Sequence, residues 1–437
     1  MDWQIILLCI FGSLLILMVT GMPVAMCFML INLVGMFIFF GGTTGLENLI
    51  TSLYTSLNTF ILLPVPLFVL MGEVMFHTGI APVLIRTLDK WLGRLPGRLS
   101  LLAVAVGTLF STLTGTSLAS VAMLGSVLTP EMEEQGYRKS MSLGPILGSG
   151  GLAMMIPPSA LAVLCGAIAE ISIGRILIAI IFPGLLMAAI YAGYIVLRCW
   201  AQPSVAPSYD VPAVPLSEKL FDLVKYVLPQ GLVVFLVVGV IFLGVATPSE
   251  AAATGSIGTI FLALLYGRLN WDVIKKSILG TLTVTAMLFL ILAGAAAFSQ
   301  ILAFTGATAG LTNVATQIEV APIAIIIIMQ IIILFLGGFI DVVSIMMITL
   351  PIFVPVIRTL GYDPVWFAVI FLINIEVAGI SPPFGMSLFV MKGVAPENTT
   401  MGDIYWAALP FVGLSLAAMA MIMIFPGIAL WLPGLMH

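Results

Sequence analysis

Residues 148–159 read GSGGLAMMIPPS and lie between two long apolar runs. A helix that crosses a membrane needs neither adjacent prolines nor three closely spaced glycines. Pro157 and Pro158 remove two backbone donors, and the glycines loosen the backbone just before them. We therefore expect a helix that breaks inside the membrane and then resumes. Broken backbone is tolerated at that depth only where it is buried in protein or lines a cavity, which is how transporters build ion and substrate sites.

The composition places the chain in a lipid bilayer. Of its 437 residues, 61% are hydrophobic and only 8% are charged, and the mean hydropathy is +1.24. No soluble domain hides that much apolar surface, and the apolar runs have the length of helical spans in place of alternating strands. The net charge of -4 is spread over the loops without a basic stripe, so nucleic acid is not an expected partner. The sequence predicts an all-α polytopic membrane protein.

A second irregular feature precedes the break. The polar sequence STLTGTS at 111–117 separates two apolar pieces, each shorter than the roughly 20 residues that a membrane span requires. We expect a re-entrant helical hairpin with a polar tip. The first part of the chain, residues 1–200, is then predicted to contain scaffold helices at about 1–60, the hairpin at about 98–134 and the broken helix at about 140–168.

The chain repeats itself across a polar, proline-rich linker predicted at 201–225. Adding 225 to a position pairs Pro23 with Pro248, Gly42 with Gly267, Pro130 with Pro355, and Pro157-Pro158 with Pro382-Pro383. Apolar residues align by chance in such a chain, so the glycines and prolines are the informative matches. The second repeat is predicted over 226–437, with scaffold helices at about 226–267, a hairpin at about 321–357 and a broken helix at about 364–393.

The topology follows from counting crossings. If each hairpin returns to its own side, each half crosses the membrane an odd number of times, and the second half is inverted relative to the first. The basic residues then fall on one side, apart from Arg175 and Arg358. Because positive residues favour the cytoplasm, the linker is predicted to be cytoplasmic and both termini periplasmic.

Four irregular segments would meet near the middle of the membrane: the tips at 111–117 and 337–344, and the breaks at 148–159 and 377–385. Unwound carbonyls and hydroxyls are hard oxygen ligands that suit a small alkali cation, while half-helix N-termini favour an anion. The candidate sodium ligands are Thr112, Thr114, Gly115, Thr116, Ser117, Ser149, Gly150, Pro157, Gly337, Gly338, Asp341, Gly379, Ser381 and Pro382. The candidate substrate-binding residues are Ser117, Ser159, Ser344, Glu376 and Gly385.

The acidic residues of the apolar segments allow two interpretations each. An acid inside the membrane is costly, so we favour an ion-binding role for Asp341 over the alternative of a helix cap. Glu376 is either part of the ion site or a structurally paired acid. Glu73 and His77 are four residues apart, which favours a local pair over a proton relay. Glu250 follows Thr247-Pro248 and is expected to cap a helix.

Motifs of enzymes are missing from the chain. Its histidines are His77 and His437, so a serine–histidine catalytic site would have to use one of these two residues. There is no Walker A sequence for an ATP-driven motor. We expect neither an enzyme nor a cofactor, and the energy for transport should come from an ion gradient.

The stretches named above, together with GMPVAMCFML near the N-terminus and TPSEAAATG at the start of the second half, resemble the large membrane subunit of tripartite ATP-independent periplasmic (TRAP) transporters, the DctM-like family. The resemblance covers essentially the whole chain. It implies a sodium-driven, elevator-type importer of an anionic organic solute in the bacterial inner membrane. Sialic acid and related acidic sugars, or C4-dicarboxylates, are the substrates that it suggests.

The resemblance also implies two protein partners. A periplasmic solute-binding protein would deliver the solute, and a small four-helix membrane subunit, expected as a separate polypeptide, would brace the scaffold. The ion sites implied for the family would combine each hairpin tip with the break of its own half. The alternatives are a stand-alone sodium/divalent-anion symporter of similar architecture, a passive channel, or a membrane-embedded enzyme or assembly scaffold.

Overall fold

The computed structural model describes residues 3–93, 95–114, 117–207, 214–317, 320–338, 340–383 and 385–436. These residues form helices and turns, and no strand occurs among them. A helix satisfies its backbone donors and acceptors within one segment, which is what a lipid environment demands. The predicted all-α polytopic class is confirmed.

The described part of the first half contains eleven α-helices. They are α1 (Trp3–Val19), α2 (Val24–Phe39), α3 (Thr43–Leu57), α4 (Pro64–His77), α5 (Ala81–Leu92), α6 (Arg98–Thr114), α7 (Ser117–Glu134), α8 (Lys139–Met155), α9 (Ala160–Ala169), α10 (Ile173–Ala179) and α11 (Ile181–Ala201). Short 3₁₀ helices at Phe60–Leu62 and Pro203–Val205 precede α4 and follow α11.

Eleven more α-helices are described after the linker. They are α12 (Leu216–Asp222), α13 (Leu228–Phe242), α14 (Pro248–Leu265), α15 (Trp271–Phe304), α16 (Ala307–Gln317), α17 (Pro322–Gly337), α18 (Val342–Thr359), α19 (Pro364–Ile380), α20 (Met386–Val394), α21 (Met401–Ile424) and α22 (Gly427–Leu430). A π-helical turn, Leu223–Val227, joins α12 to α13. Helix therefore resumes earlier than the predicted linker ends, because the run of prolines stops at Pro215.

Six stretches within the described residues are long and apolar enough to cross a membrane. A seventh is obtained if the bent pair α8 and α9 counts as one span. The six are Phe60–His77, Ile173–Ala201, Leu216–Phe242, Trp271–Phe304, Val342–Thr359 and Met401–Ile424. Large apolar side chains such as Leu8, Phe235 and Phe335 are exposed on the outer helices, as expected for a surface that faces lipid.

Helices α8 and α19 form the buried centre of the molecule. Every residue from Met141 to Met155 in α8 is buried, and so is every residue from Val365 to Ala378 in α19. Helix α8 packs against α6, α7, α11 and α21, while α19 packs against α17, α18 and α21, and the two also contact each other. A helix that is apolar on all sides is buried in this way. Both helices lead directly into a proline-containing break.

The peripheral helices form a second group around α4. Helix α4 packs against α14 and α15, α13 packs against α14, and α2 packs against α15. Helix α4 also contacts α6 and α9. It therefore stands between the peripheral group and the helices that surround the first break.

Helix α15 differs from the corresponding stretch of the first half. In the first half α3 and α4 are separate helices, whereas α15 is one continuous helix of 34 residues. Pro64 and Pro66 begin α4, and adding 225 gives Phe289 and Ile291, which continue a helix without interruption.

The amphipathic helix α5 is fastened to its neighbours by ion pairs. Lys90 Nζ lies 2.6 Å from Asp222 Oδ2 and 2.6 Å from Glu218 Oε1. Hydrogen bonds to Asp222 and then Glu218 raise the pKa of Lys90. Asp89 pairs with Arg98 at the start of α6, and burial raises the pKa of that carboxyl despite the nearby guanidinium. These contacts hold α5 against both α6 and the end of the linker.

Candidate ion and substrate site

The first helix break is narrower than the sequence predicted. Helix α8 continues through all three glycines to Met155, and α9 begins at Ala160 with a bend of 48° between the two axes. Only residues 156–159 are non-helical, and the Pro157–Pro158 bond within them is cis. Ser149 and Gly150, which were expected in unwound backbone, therefore lie inside a helix.

The glycines of α8 serve close packing. A methyl group added at Gly148 would overlap the ring of Phe411, and one added at Gly150 would overlap Val121. A methyl group at Gly151 would overlap the carboxyl of Glu376. Small residues allow helices in a membrane to approach this closely. The glycines thus bring α21, α7 and α19 against three sides of α8.

The structure places Ser117 and Gly150, two residues of the predicted first sodium site, close to each other. Ser117 begins α7, and its carbonyl oxygen lies 3.4 Å from the position that a Cβ on Gly150 would occupy. Ser149 is fully buried, and its Oγ donates to Ile146 O at 3.3 Å. Pro157 is buried in the break. Gly115 and Thr116 lie outside the described residues, as do the side chains of Thr112 and Thr114.

The second break is a compact turn between α19 and α20. Gly385 N donates to Ser381 O at 3.0 Å, and a methyl group on Gly385 would lie 2.7 Å from Gly379 O. Ser381 Oγ donates to Val377 O at 2.7 Å. The Pro382–Pro383 bond is cis. Gly385 is required because the chain folds back onto the end of α19.

The second hairpin tip and the second break enclose a cavity of about 220 Å³. Among the predicted sodium ligands, Gly337, Asp341 and Gly379 line it. Gly338, Ser381 and Pro382 lie beside this group and are not part of the lining. Ile340, Val342, Ala378 and Met386 complete the wall. The tip and the break of the second half thus meet around a small space.

Asp341 acts as the N-cap of α18. Its Oδ1 accepts hydrogen bonds from the backbone N–H groups of Val343 and Ser344, each at 3.1 Å, and its Oδ2 accepts one from the hydroxyl of Ser344. The capping alternative is therefore confirmed, while an ion-binding role stays a prediction. A carboxylate in this position can cap the helix and still present an oxygen to the cavity.

The five predicted substrate-binding residues are all buried. Ser159 is the N-cap of α9, with its Oγ accepting from Ala162 N at 3.2 Å. Ser344 is engaged by Asp341, Ser117 starts α7, and Gly385 precedes α20. Four of the five thus stand at the N-terminal ends of half-helices, where the partial positive charge of the helix favours an anion. A substrate role for them stays a prediction.

Glu376 is the most unusual of these residues. Its side chain is 1% exposed, and neither carboxylate oxygen has a hydrogen-bond or ion-pair partner among the described residues. Sequence reasoning left open that Glu376 is a structurally paired acid, and the described contacts provide no such pair. The contact of its carboxyl with Gly151, a residue of the other half, was not predicted from the sequence.

Sequence reasoning missed a set of buried polar side chains around α19. Asn374 bonds to Gln330 of α17, and the hydroxyl of Tyr191 lies 2.7 Å from Ser415 Oγ between α11 and α21. The available signal was the presence of amide and hydroxyl side chains within strongly apolar helices. Two smaller predictions are confirmed: Glu73 pairs with His77 at 3.2 Å, and Thr247 and Glu250 form a capping box.

A larger cavity of about 1010 Å³ lies between the start of α4, the α9–α10 turn and the α13–α14 loop. Its wall is mainly apolar, and Glu170 and Glu250 are part of its lining. It separates peripheral helices from those that follow the first break.

Residues 11–428 match the family described as "Tripartite ATP-independent periplasmic transporter, DctM component". The chain is 32% identical to the C4-dicarboxylate TRAP transporter large permease protein DctM of Pseudomonas aeruginosa, over 89% of this chain and 90% of that protein. It is 28% identical to the sialic acid TRAP transporter large permease protein SiaM of Vibrio cholerae, over 96% of each. It is also 28% identical to the isethionate TRAP transporter permease protein DctMQ of Oleidesulfovibrio alaskensis, over 97% of this chain and 66% of that protein.

Two solved structures have a similar fold. The Alcanivorax borkumensis YdaH transporter aligns with a TM-score of 0.60 at 15% identity, over 88% of this chain and 89% of that one. Neisseria gonorrhoeae MtrF aligns with a TM-score of 0.62 at 16% identity, over 87% of this chain and 84% of that one. At this level of identity the likeness concerns the fold alone.

Proposed function

The chain belongs to the DctM family of TRAP transporter large permeases, and from this we propose that it carries out sodium-coupled uptake of an anionic organic solute across the bacterial inner membrane. It is a multi-pass permease subunit and not an enzyme. The observation that carries the proposal is the meeting of the second hairpin tip with the second break. There Asp341 and Gly379 share a cavity of about 220 Å³.

Sodium suits the ligands that this arrangement offers. The second site presents the Asp341 carboxylate together with glycine backbone at Gly337 and Gly379. These are hard oxygen donors, and the space between them is small. The first site would use Ser117, Ser149 and Gly150 in the same way. The residues fit an alkali cation better than a transition metal, because their donors are carboxylate, hydroxyl and carbonyl oxygens and not imidazole or thiolate.

The N-terminal ends of the half-helices favour an anionic solute. Helices α9 and α20 begin at the two breaks, and α7 and α18 begin at the two hairpin tips. Each helix N-terminus carries about half a positive charge. The named substrates of the relatives include C4-dicarboxylates and sialic acid, which fits the proposed class. The solute-binding protein is the component that would select between these two substrates.

The two protein partners are part of the proposal. A periplasmic solute-binding protein would deliver the solute, as the family name implies. The small membrane subunit would be a separate polypeptide.

Transport by an elevator movement would use the two groups of helices described above. Hairpins α6–α7 and α17–α18, with the broken helices α8–α9 and α19–α20, would move as one body. The helices α1, α2, α13 and α14 would stay fixed, and the two halves would be inverted repeats. Rigid-body motion keeps the broken backbone buried throughout. Each net positive charge carried inward would gain about 2.3 kcal/mol per 100 mV of membrane potential.

The experiment is uptake into proteoliposomes that contain this chain and its small subunit. Solute accumulation is expected only with an inward sodium gradient and with the solute-loaded binding protein outside. Uptake of free solute without the binding protein would favour the stand-alone symporter. Flux that ignores the sodium gradient would favour a passive channel.

A further inference from the structure

Glu376 is a buried carboxyl group for which the described part of the chain provides no partner. It is 1% exposed, and within the described residues neither of its oxygens accepts a hydrogen bond or meets a cation. Burial of an ionised carboxylate without compensation is far more costly than burial of an apolar side chain of similar size. Such a group in the centre of a membrane protein points to a functional partner.

The contact between Glu376 and Gly151 has a symmetry that the sequence register makes visible. The two positions differ by 376 − 151 = 225, the shift that aligns the prolines and glycines of the two halves. The carboxyl occupies the space that a side chain on Gly151 would need. Residues that are equivalent in two inverted halves and contact each other lie near the axis that relates those halves. Glu376 therefore stands where α19, which leads into the second break, meets α8, which leads into the first.

The charged groups on the helices around α19 do not neutralise this carboxyl. Each has a partner elsewhere and stands near a helix end: Lys139 with Asn398 O and Asp403, Arg175 with Asp363, Arg358 with Ala169 O and Glu170 O, and Lys392 with Thr399 O. The hydroxyl of Tyr191, in α11, is shared with Ser415 Oγ at 2.7 Å.

We propose that the Glu376 carboxylate is the shared counter-charge for the cations held at the two breaks. The first site, as predicted, has only neutral ligands in Ser117, Ser149 and Gly150, so a cation there needs a negative charge from another element. The Glu376 carboxylate supplies this negative charge, because it contacts Gly151, the residue directly after Gly150. This inference rests on the proposed sodium-coupled function and extends it, because one residue of α19 then links occupancy of both sites.

The test measures sodium binding by thermal stabilisation of the purified protein in detergent, with potassium chloride keeping the ionic strength constant. A ligand that binds only the folded state stabilises it by an amount that grows with the logarithm of the ligand concentration divided by Kd, and the unfolding temperature rises accordingly. Glu376→Gln keeps the shape of the side chain against Gly151 and removes the charge. It should need on the order of tenfold more sodium, or more, for the same stabilisation.

The matched control is Glu73→Gln, which removes another acid of the membrane region that already has His77 as its partner. Its sodium response should equal that of the unchanged protein. If Glu376→Gln does not fold, Gly151→Ala replaces it, because its methyl group displaces the carboxyl without removing the charge. A weaker sodium response of Gly151→Ala is then expected.

The outcomes separate this inference from the proposed function. An unchanged protein that sodium does not stabilise would overturn sodium coupling and this proposal together. Sodium stabilisation of the unchanged protein with an equal response in Glu376→Gln would overturn the counter-charge alone. When Gly151→Ala is used in place of Glu376→Gln, a sodium response equal to that of the unchanged protein would also overturn the counter-charge alone.

Discussion

Asn374 donates from Nδ2 to two oxygens of Gln330, the backbone carbonyl at 2.6 Å and the side-chain Oε1 at 2.9 Å. Both side chains are buried, so the pair fastens the first arm of the second hairpin, α17, to the broken helix α19. Asn374→Ala should lower the free energy of unfolding by about 1–3 kcal/mol, because two acceptors lose their donor in a dry interior. The measurement is thermal unfolding in detergent.

The control for this variant is Thr283→Ala. Thr283 donates to Leu279 O on the exposed side of α15, and its loss should cost less than about 0.5 kcal/mol. Equal unfolding temperatures for the two variants would show that the contact between Asn374 and Gln330 does not hold α17 against α19.

Adjacent glycines at the end of α17 should respond very differently to alanine. A methyl group at Gly337 would overlap Cβ of Ala378 in α19, whereas one at Gly338 would have Phe335 O at 3.4 Å and Pro383 Cδ at 3.8 Å as its nearest neighbours. Gly337→Ala should therefore destabilise by about 1–3 kcal/mol or prevent folding. Gly338→Ala, at a φ of -72° that alanine adopts readily, should change stability by less than about 0.5 kcal/mol.

The stability of both glycine variants is measured by thermal unfolding, and their folding by the yield of monodisperse protein after size-exclusion chromatography. A Gly337→Ala protein as stable as Gly338→Ala would mean that α17 and α19 are farther apart than described.

The breaks themselves were predictable, because a proline pair is a local feature. Proline removes a backbone donor and fixes φ, so α8 and α19 had to end near Pro157 and Pro382. The extent of the first break was not predictable. Glycine in a membrane helix either loosens the backbone or admits a neighbour, and the choice depends on whether a group such as the ring of Phe411 lies opposite Gly148.

Contacts between the two halves could not be predicted from the sequence either. The meeting of Glu376 with Gly151 depends on how α8 and α19 cross, and no local pattern encodes a crossing of helices. For Asp341, the sequence allowed two roles, and only the positions of Val343 N and Ser344 N identify it as a cap. Sodium-dependent uptake by Asp341 variants tests whether the same carboxylate also binds a cation.

Ser149, inside α8, and Ser381, at the second break, should control sodium activation. Ser149→Ala and Ser381→Ala each remove a buried hydroxyl that donates to its own helix and is proposed to turn a lone pair to the cation. Each should raise the sodium concentration for half-maximal uptake by roughly fivefold to tenfold, equivalent to about 1 kcal/mol. Uptake into proteoliposomes at a series of sodium concentrations measures this.

A serine of the peripheral helices is the control for this series. Ser256 Oγ donates to Leu67 O at 2.7 Å between α14 and α4, away from both breaks. Ser256→Ala should leave the half-activating sodium concentration unchanged even if it lowers stability. A shift as large as those of Ser149→Ala and Ser381→Ala would point to a general loss of packing as the cause.

Capping and ion binding by Asp341 can be separated with two substitutions. Asp341→Asn keeps an oxygen that caps α18 and removes the charge, so the unfolding temperature should hold while sodium-dependent uptake falls by at least about tenfold. Asp341→Ala should lose uptake and also about 1 kcal/mol of stability, because the cap is gone. A fully active Asp341→Asn protein would leave the residue with a capping role only.

The orientation of the chain predicts which exposed positions an impermeant thiol reagent reaches. Ser204 is exposed after α11, on the side proposed to be cytoplasmic, and Val245 is 74% exposed beyond the far end of α13. In a background without the native cysteines, Val245→Cys should react in cells whose outer membrane alone is permeable. Ser204→Cys should react only after the inner membrane is opened, because the reagent cannot cross the lipid. The reverse order of labelling would invert the topology and place the linker in the periplasm.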